Sequence, residues 1–431
     1  MIKNIFIALI ISLFFISCTT KAPVSVKEAV SPSKKAFAEE DMYIMFALRA
    51  EQMGDRAGAS ILFTKLYEKS TKKEYLYRSL ENDLLMKENQ KVIDRVDMIT
   101  KGSLDDSRLV SLKIVALVEG YRRFEALDLA KKLLAVNKSE ENYLLVANIY
   151  IQQQEYDIAL KYLESAYNKN YDEKVLDKMA IVLYANLHRA KEAIAQLETH
   201  TRLHGCSTLI CNRLLGIYSN ENNIDGLLST YLRLYKLNQD EASAKKIVQI
   251  YGYKKDYKTL IAFLEKSKSD DDTLLQLYSF EKEYEKAHKL ADKLYTKKGD
   301  INYLGQSALY EYETKGKKTN AKVLKKVIRK LEKVTKLDSS PLYLNYLGYI
   351  LIDHEVDVQR GMSYIRQVLK VQPDSSFYLD SLAWGYFKSG NCAKAKKIMD
   401  RVVTLEGGDD PEVTSHVKII NRCLKNKKGK K

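Results

Sequence analysis

The chain has 431 residues, with five prolines, eighteen glycines, thirty tyrosines and a formal net charge of +15. Apolar residues recur at helical spacing from about residue 40 to residue 424, and no alternating strand pattern lasts more than a few residues. Sheet-based folds are excluded and the chain is predicted to be all-α. The tyrosines suit shallow layers between helices, where a ring is buried while its hydroxyl reaches water.

In chain order, Lys3 precedes an apolar run from Ile5 to Ile16, followed at once by Ser17 and Cys18. The run is too short to cross a bilayer comfortably, which takes ~20 residues, and it has the form of a signal peptide. Phe15-Ile16-Ser17-Cys18 resembles the lipobox of bacterial lipoproteins, whose cysteine is lipidated and becomes the mature N-terminus. Ser17 and Cys18 fit that pattern. Phe15 and Ile16 depart from the aliphatic and small residues usual there, so a plain secretion signal and an uncleaved anchor remain as competing readings. The resemblance implies a signal peptide over 1–17 and a lipid at Cys18. Thr19, where an aspartate would imply retention at the inner membrane, implies the periplasmic face of the outer membrane. Residues 18–38 carry two prolines and no strong apolar period, and are expected to form a flexible tether reaching roughly 25 Å on average. Such a setting removes nucleic acid as a partner. The basic charge then reads as solvated helix faces, or as attraction to an anionic glycan or lipid headgroup.

From residue 39 onward the chain repeats with a period of ~34 residues. The clearest unit, 140–173, has small residues at Ala147, Ala159 and Ala166, with Tyr150 and Tyr156 between them at helical spacing. The unit at 341–374 carries Gly348, Gly361, Ile365, Val368 and Pro373, and that at 376–409 carries Ala383, Tyr386, Gly390, Ala395 and Met399. Small residues let two helix backbones approach where a leucine would hold them apart. Gly54 and Gly390 fall where the chain must turn with positive φ. These positions resemble the tetratricopeptide repeat (TPR) family. The resemblance implies about eleven units stacked as a right-handed superhelical solenoid of antiparallel helix pairs. The expected organisation is an N-terminal solenoid over 39–300, a degenerate long-helix unit over 301–340 that kinks the array, and C-terminal repeats over 341–410. A helix over 411–424, opened by Asp410-Pro411-Glu412, is expected to cap the last unit, with a basic tail over 425–431.

Four cysteines remain after Cys18. Cys392 and Cys423 fall where stacking brings a turn beside the capping helix, and Cys206 and Cys211 are close in sequence; both pairs are disulfide candidates, with free thiols as the alternative. His200, His204, Cys206 and Cys211 together invite a metal reading, but their spacing matches no standard zinc module, so no metal is expected. No nucleophile elbow, H-E-x-x-H helix or phosphate-cradling loop occurs. The sequence therefore points to no enzyme and no cofactor.

The family resemblance implies that the first helix of each pair lines a groove for protein or peptide partners. In the last two full units this names Asn345, Tyr349 and Ile352, then Phe377, Asp380, Trp384 and Phe387. Trp384, the sole tryptophan, reads either as a contact hot spot or as packing between stacked units. The function these features imply is a membrane-tethered periplasmic scaffold in envelope assembly. The alternative is a binder or regulator in peptidoglycan or exported-polysaccharide synthesis.

Overall fold

The computed structural model describes residues 35–315 and 318–428. The expected signal peptide, Cys18, all but the end of the 18–38 tether and the last residues of the basic tail lie outside the described residues. Every regular element among the described residues is helical. The last of them, Pro411–Lys428, runs past the expected end at Leu424. The chain divides into two compact units, the first ending at Ile217 and the second beginning at Tyr218. In each, a helix packs chiefly on its neighbours in sequence, as expected for an array of stacked hairpins.

In the first unit, the pair Glu140–Gln152 and Tyr156–Asn170 shows why the small residues recur: Ala147, Ala159 and Ala166 are all fully buried. Ser139 caps the first helix of this pair, its hydroxyl accepting from the Asn142 N–H at 3.3 Å. Gly54 turns the chain between the first two helices at φ 79°.

In the second unit, Gly390 occupies the equivalent turn at φ 76°. Pro341–Asp353 and Val358–Val371 approach each other closely. A Cβ on Gly361 would sit 2.6 Å from the carbonyl oxygen of Gly348 and 2.7 Å from Ile352 Cγ1. Backbone cannot yield as a flexible side chain can, so Gly361→Val is expected to cost about 1–3 kcal/mol. Urea denaturation measures this, and an unchanged midpoint would mean that the two helices separate freely.

The 301–340 stretch holds two helices, Ile301–Glu313 and the long Ala321–Leu337. Its second helix is long, and starts where the Asn320 side chain accepts from the Val323 N–H at 2.9 Å.

Candidate functional site

The second unit holds a cavity of about 570 Å³, within the usual range for ligand sites. Three first helices and the last helix wall it. Ile301–Glu313 supplies Tyr312 and Glu313; Pro341–Asp353 supplies Leu342, Asn345, Tyr346 and Tyr349. Ser376–Lys388 adds Phe377, Tyr378, Asp380 and Ser381, and Pro411–Lys428 adds Glu412. First helices line the cavity because each presents one face to its counterparts in the adjacent pairs.

The cavity is aromatic and acidic, and among the described residues no lysine or arginine lines it. Burial pushes the Glu313 carboxyl above its ordinary range, and the nearby Glu412 adds to that shift, while the Tyr346 hydroxyl donates to Glu313 at 3.2 Å. Burial likewise raises Asp380, which is 6% exposed and accepts from His416 Nδ1 at 2.9 and 3.0 Å. The Tyr349 hydroxyl donates to Glu412 at 2.6 Å, and burial with that bond holds its proton far above the ordinary phenol range. Asn345 Oδ1 is buried and has no hydrogen-bond partner.

This arrangement lies wholly inside residues 249–413, which match the tetratricopeptide repeat family. Over that stretch the chain is similar to tetratricopeptide repeats. No curated protein gives a significant match to the sequence. Solved structures with significant similarity include the APC/C hetero-tetramer Cut9–Hcn1, at 10% identity and a TM-score of 0.41, over 89% of this chain and 97% of that one. Naa15/Naa10 bound to HypK-THB matches at 14% identity and a TM-score of 0.34, over 80% of this chain and 65% of that one. The P58(IPK) TPR domain matches at 16% identity and a TM-score of 0.26, over 90% of this chain and 99% of that one.

Of the residues expected on the groove of the repeats, Asn345, Tyr349, Phe377 and Asp380 line the cavity together. Ile352, Trp384 and Phe387 do not. Ile352 is fully buried, close to where Gly361 and Gly385 bring neighbouring helices in. Trp384 is 5% exposed, stacked on His416 at 3.9 Å between ring centroids and on Phe387 at 4.7 Å. Glu313, Tyr346 and Glu412 escaped sequence reasoning. The first two belong to repeat faces, but Glu412 reaches the cavity only because the last helix lies against Ser376–Lys388 as well as Cys392–Val402.

The cysteines pair as Cys206–Cys211 and Cys392–Cys423, with Cα atoms 5.5 and 6.0 Å apart. His200 is buried, Nδ1 bonded to the Tyr167 hydroxyl at 2.7 Å and Nε2 facing Glu173 at 3.3 Å. Both ring nitrogens are thus engaged within the protein. Among the described residues, no group of three histidine, cysteine or carboxylate side chains is disposed to hold a metal.

Another cleft of about 430 Å³, in the first unit, is lined by charges that neutralise one another: Arg78 pairs with Glu51 and Arg108 with Glu81. It presents no unbalanced charge to a ligand.

Proposed function

We propose that this protein is a scaffold tethered by lipid at Cys18 to the periplasmic face of the outer membrane, gripping a protein partner in envelope assembly through the cavity of its second unit. The observation that carries the gripping role is that cavity, built inside tetratricopeptide repeats from the helix faces such repeats use for protein binding. The tether is supported by the signal-like run ending at Ser17-Cys18. Two cysteine pairs also suit an oxidising compartment.

A photocrosslinking residue placed at Phe377, which is 55% exposed on the cavity rim, tests the reading in intact envelopes. A discrete protein adduct is expected there and not at exposed Phe124 of the first unit. Cys18→Ser is expected to release the protein from the membrane fraction. Adducts that do not differ between the two positions would sink the scaffold reading.

A second reading, binding of an anionic cell-wall or exported polysaccharide, is favoured by one helix. Ala321–Leu337 carries seven lysines and arginines against one glutamate, with Lys322, Lys325, Arg329 and Lys336 exposed. Salt-sensitive retention on purified glycan, lost when these four are neutralised, would favour it.

A further inference from the structure

We infer that the first helix, Glu40–Gln52, lies on the surface of an anionic lipid bilayer, with a methionine-rich stripe in the acyl boundary and Arg49 on lipid phosphate. The inference rests on the proposed N-terminal anchor and says which face of the chain that anchor brings to the membrane.

The stripe follows from exposure and helix spacing. Met42, Met45, Phe46 and Met53 are 45, 65, 54 and 70% exposed. They stand at i, i+3, i+4 and i+11, one side of a helix, with Met53 just past its end. Ile44, Ala47 and Ala50 turn the other way and pack with Phe63 and Leu66. The helix is therefore apolar on the side it buries and again on the side it leaves open. A terminal repeat of a stacked array ordinarily turns a polar face outward. A contiguous exposed apolar face marks a contact surface instead, and flexible methionines adapt to an irregular one such as acyl chains.

Charge selects the kind of surface. Arg49 stands at i+7 within the stripe and is exposed. The acids of this helix are already engaged, Glu40 with Lys72, Asp41 with Lys35 and Glu51 with Arg78. Arg49 is left without an ion pair among the described residues. A lone cation amid apolar side chains suits a bilayer interface, where its stem lies with the methionines and its guanidinium reaches phosphate oxygens. A second copy of the chain seated here would bring two Arg49 side chains onto one apolar seam.

The chain places this helix where such a surface is. Lys35, the first described residue, follows Cys18 by 17 residues, and a linker of that length reaches roughly 25 Å on average. That is about two helix diameters. An uncleaved apolar run ending at Ile16 would hold the helix as near. The stripe orients an anchored chain, since stable attachment takes two signals and the anchor supplies the other.

The test uses the full anchored chain with p-benzoylphenylalanine placed at Met45, reconstituted without other proteins into vesicles of phosphatidylethanolamine and phosphatidylglycerol. Irradiation is expected to give phospholipid adducts at Met45, and about five-fold fewer with the same probe at Phe124, which is 87% exposed in the same unit. Arg49→Gln should lower the Met45 yield about five-fold, toward that in vesicles of phosphatidylcholine alone. Circular dichroism melting identifies any variant that has lost its fold. Equal yields at the two positions, or an unchanged yield in folded Arg49→Gln, overturn the inference. So does a crosslinked dimer at Met45 in place of lipid adducts, which would make the stripe an interface between copies. Intact-protein mass spectrometry reads the anchor separately: a chain neither acylated at Cys18 nor retaining residues 5–16 defeats the tether reading. Added to preformed vesicles, such a chain would uphold the docking face alone if it gave lipid adducts at Met45, and would defeat both readings if it gave none.

Discussion

Trp384→Ala is expected to destabilise the C-terminal repeats by about 3–5 kcal/mol, the usual cost of emptying a large aromatic site in a core. The ring is nearly inaccessible and lies against two others, His416 at an interplanar angle of 16° and Phe387 at 27°. Its Nε1–H donates to Asp353 at 2.8 Å, tying Ser376–Lys388 to the end of Pro341–Asp353. Removing it opens a cavity, leaves Asp353 without that donor, and strips His416 of the surface on which it stacks. Because His416 is a fully buried anchor of the last helix and donates to Asp380, the damage should spread to the cavity wall. Urea denaturation followed by circular dichroism gives the measurement; tryptophan emission cannot, since the variant has no tryptophan. Trp384→Phe keeps much of the stacking and loses the donor, so a smaller loss is expected. If Trp384→Ala unfolds at the same urea concentration as the parent, the packing role is wrong. If the role is right, loss of a partner in Trp384→Ala reports a damaged fold, and Phe377 is the position that reports contact.

The same residues show how far the amino-acid sequence can be read. Spacing alone located the layers, because close helix approach demands a residue without bulk: Ala147, Ala159 and Ala166 have no exposure at all, and Gly361 nearly touches the backbone at Gly348. The family resemblance also placed Asn345, Tyr349, Phe377 and Asp380 on one surface, and they do line one cavity. The resemblance failed at Ile352 and Trp384, since a repeat position tells which side of a helix a residue occupies but not what covers that side further along. At Ile352 the cover comes from the neighbouring helices that Gly361 and Gly385 admit. At Trp384 it comes from the last helix, whose direction across the unit no repeat pattern encodes. Glu412 looked like an ordinary first-turn acid favourable to the helix dipole. Its bond to Tyr349, 63 residues away in sequence, is a tertiary fact.

Reduction of Cys392–Cys423 should loosen that last helix and lower stability by about 3–4 kcal/mol, the chain-entropy value for a loop of this size. The two residues are 31 apart in sequence, Cys392 opening the helix Cys392–Val402 and Cys423 lying within Pro411–Lys428. Without the bridge the last helix depends on contacts such as the Asp380–His416 pair and the Tyr349–Glu412 bond. Cys206–Cys211 closes a loop of only 5 residues, for which the same reasoning gives about 2 kcal/mol. Urea midpoints with and without dithiothreitol should therefore separate widely in the parent protein and only slightly in a Cys392→Ser, Cys423→Ser variant. A large reductant effect that persists in this double variant would assign the stabilisation to the shorter loop.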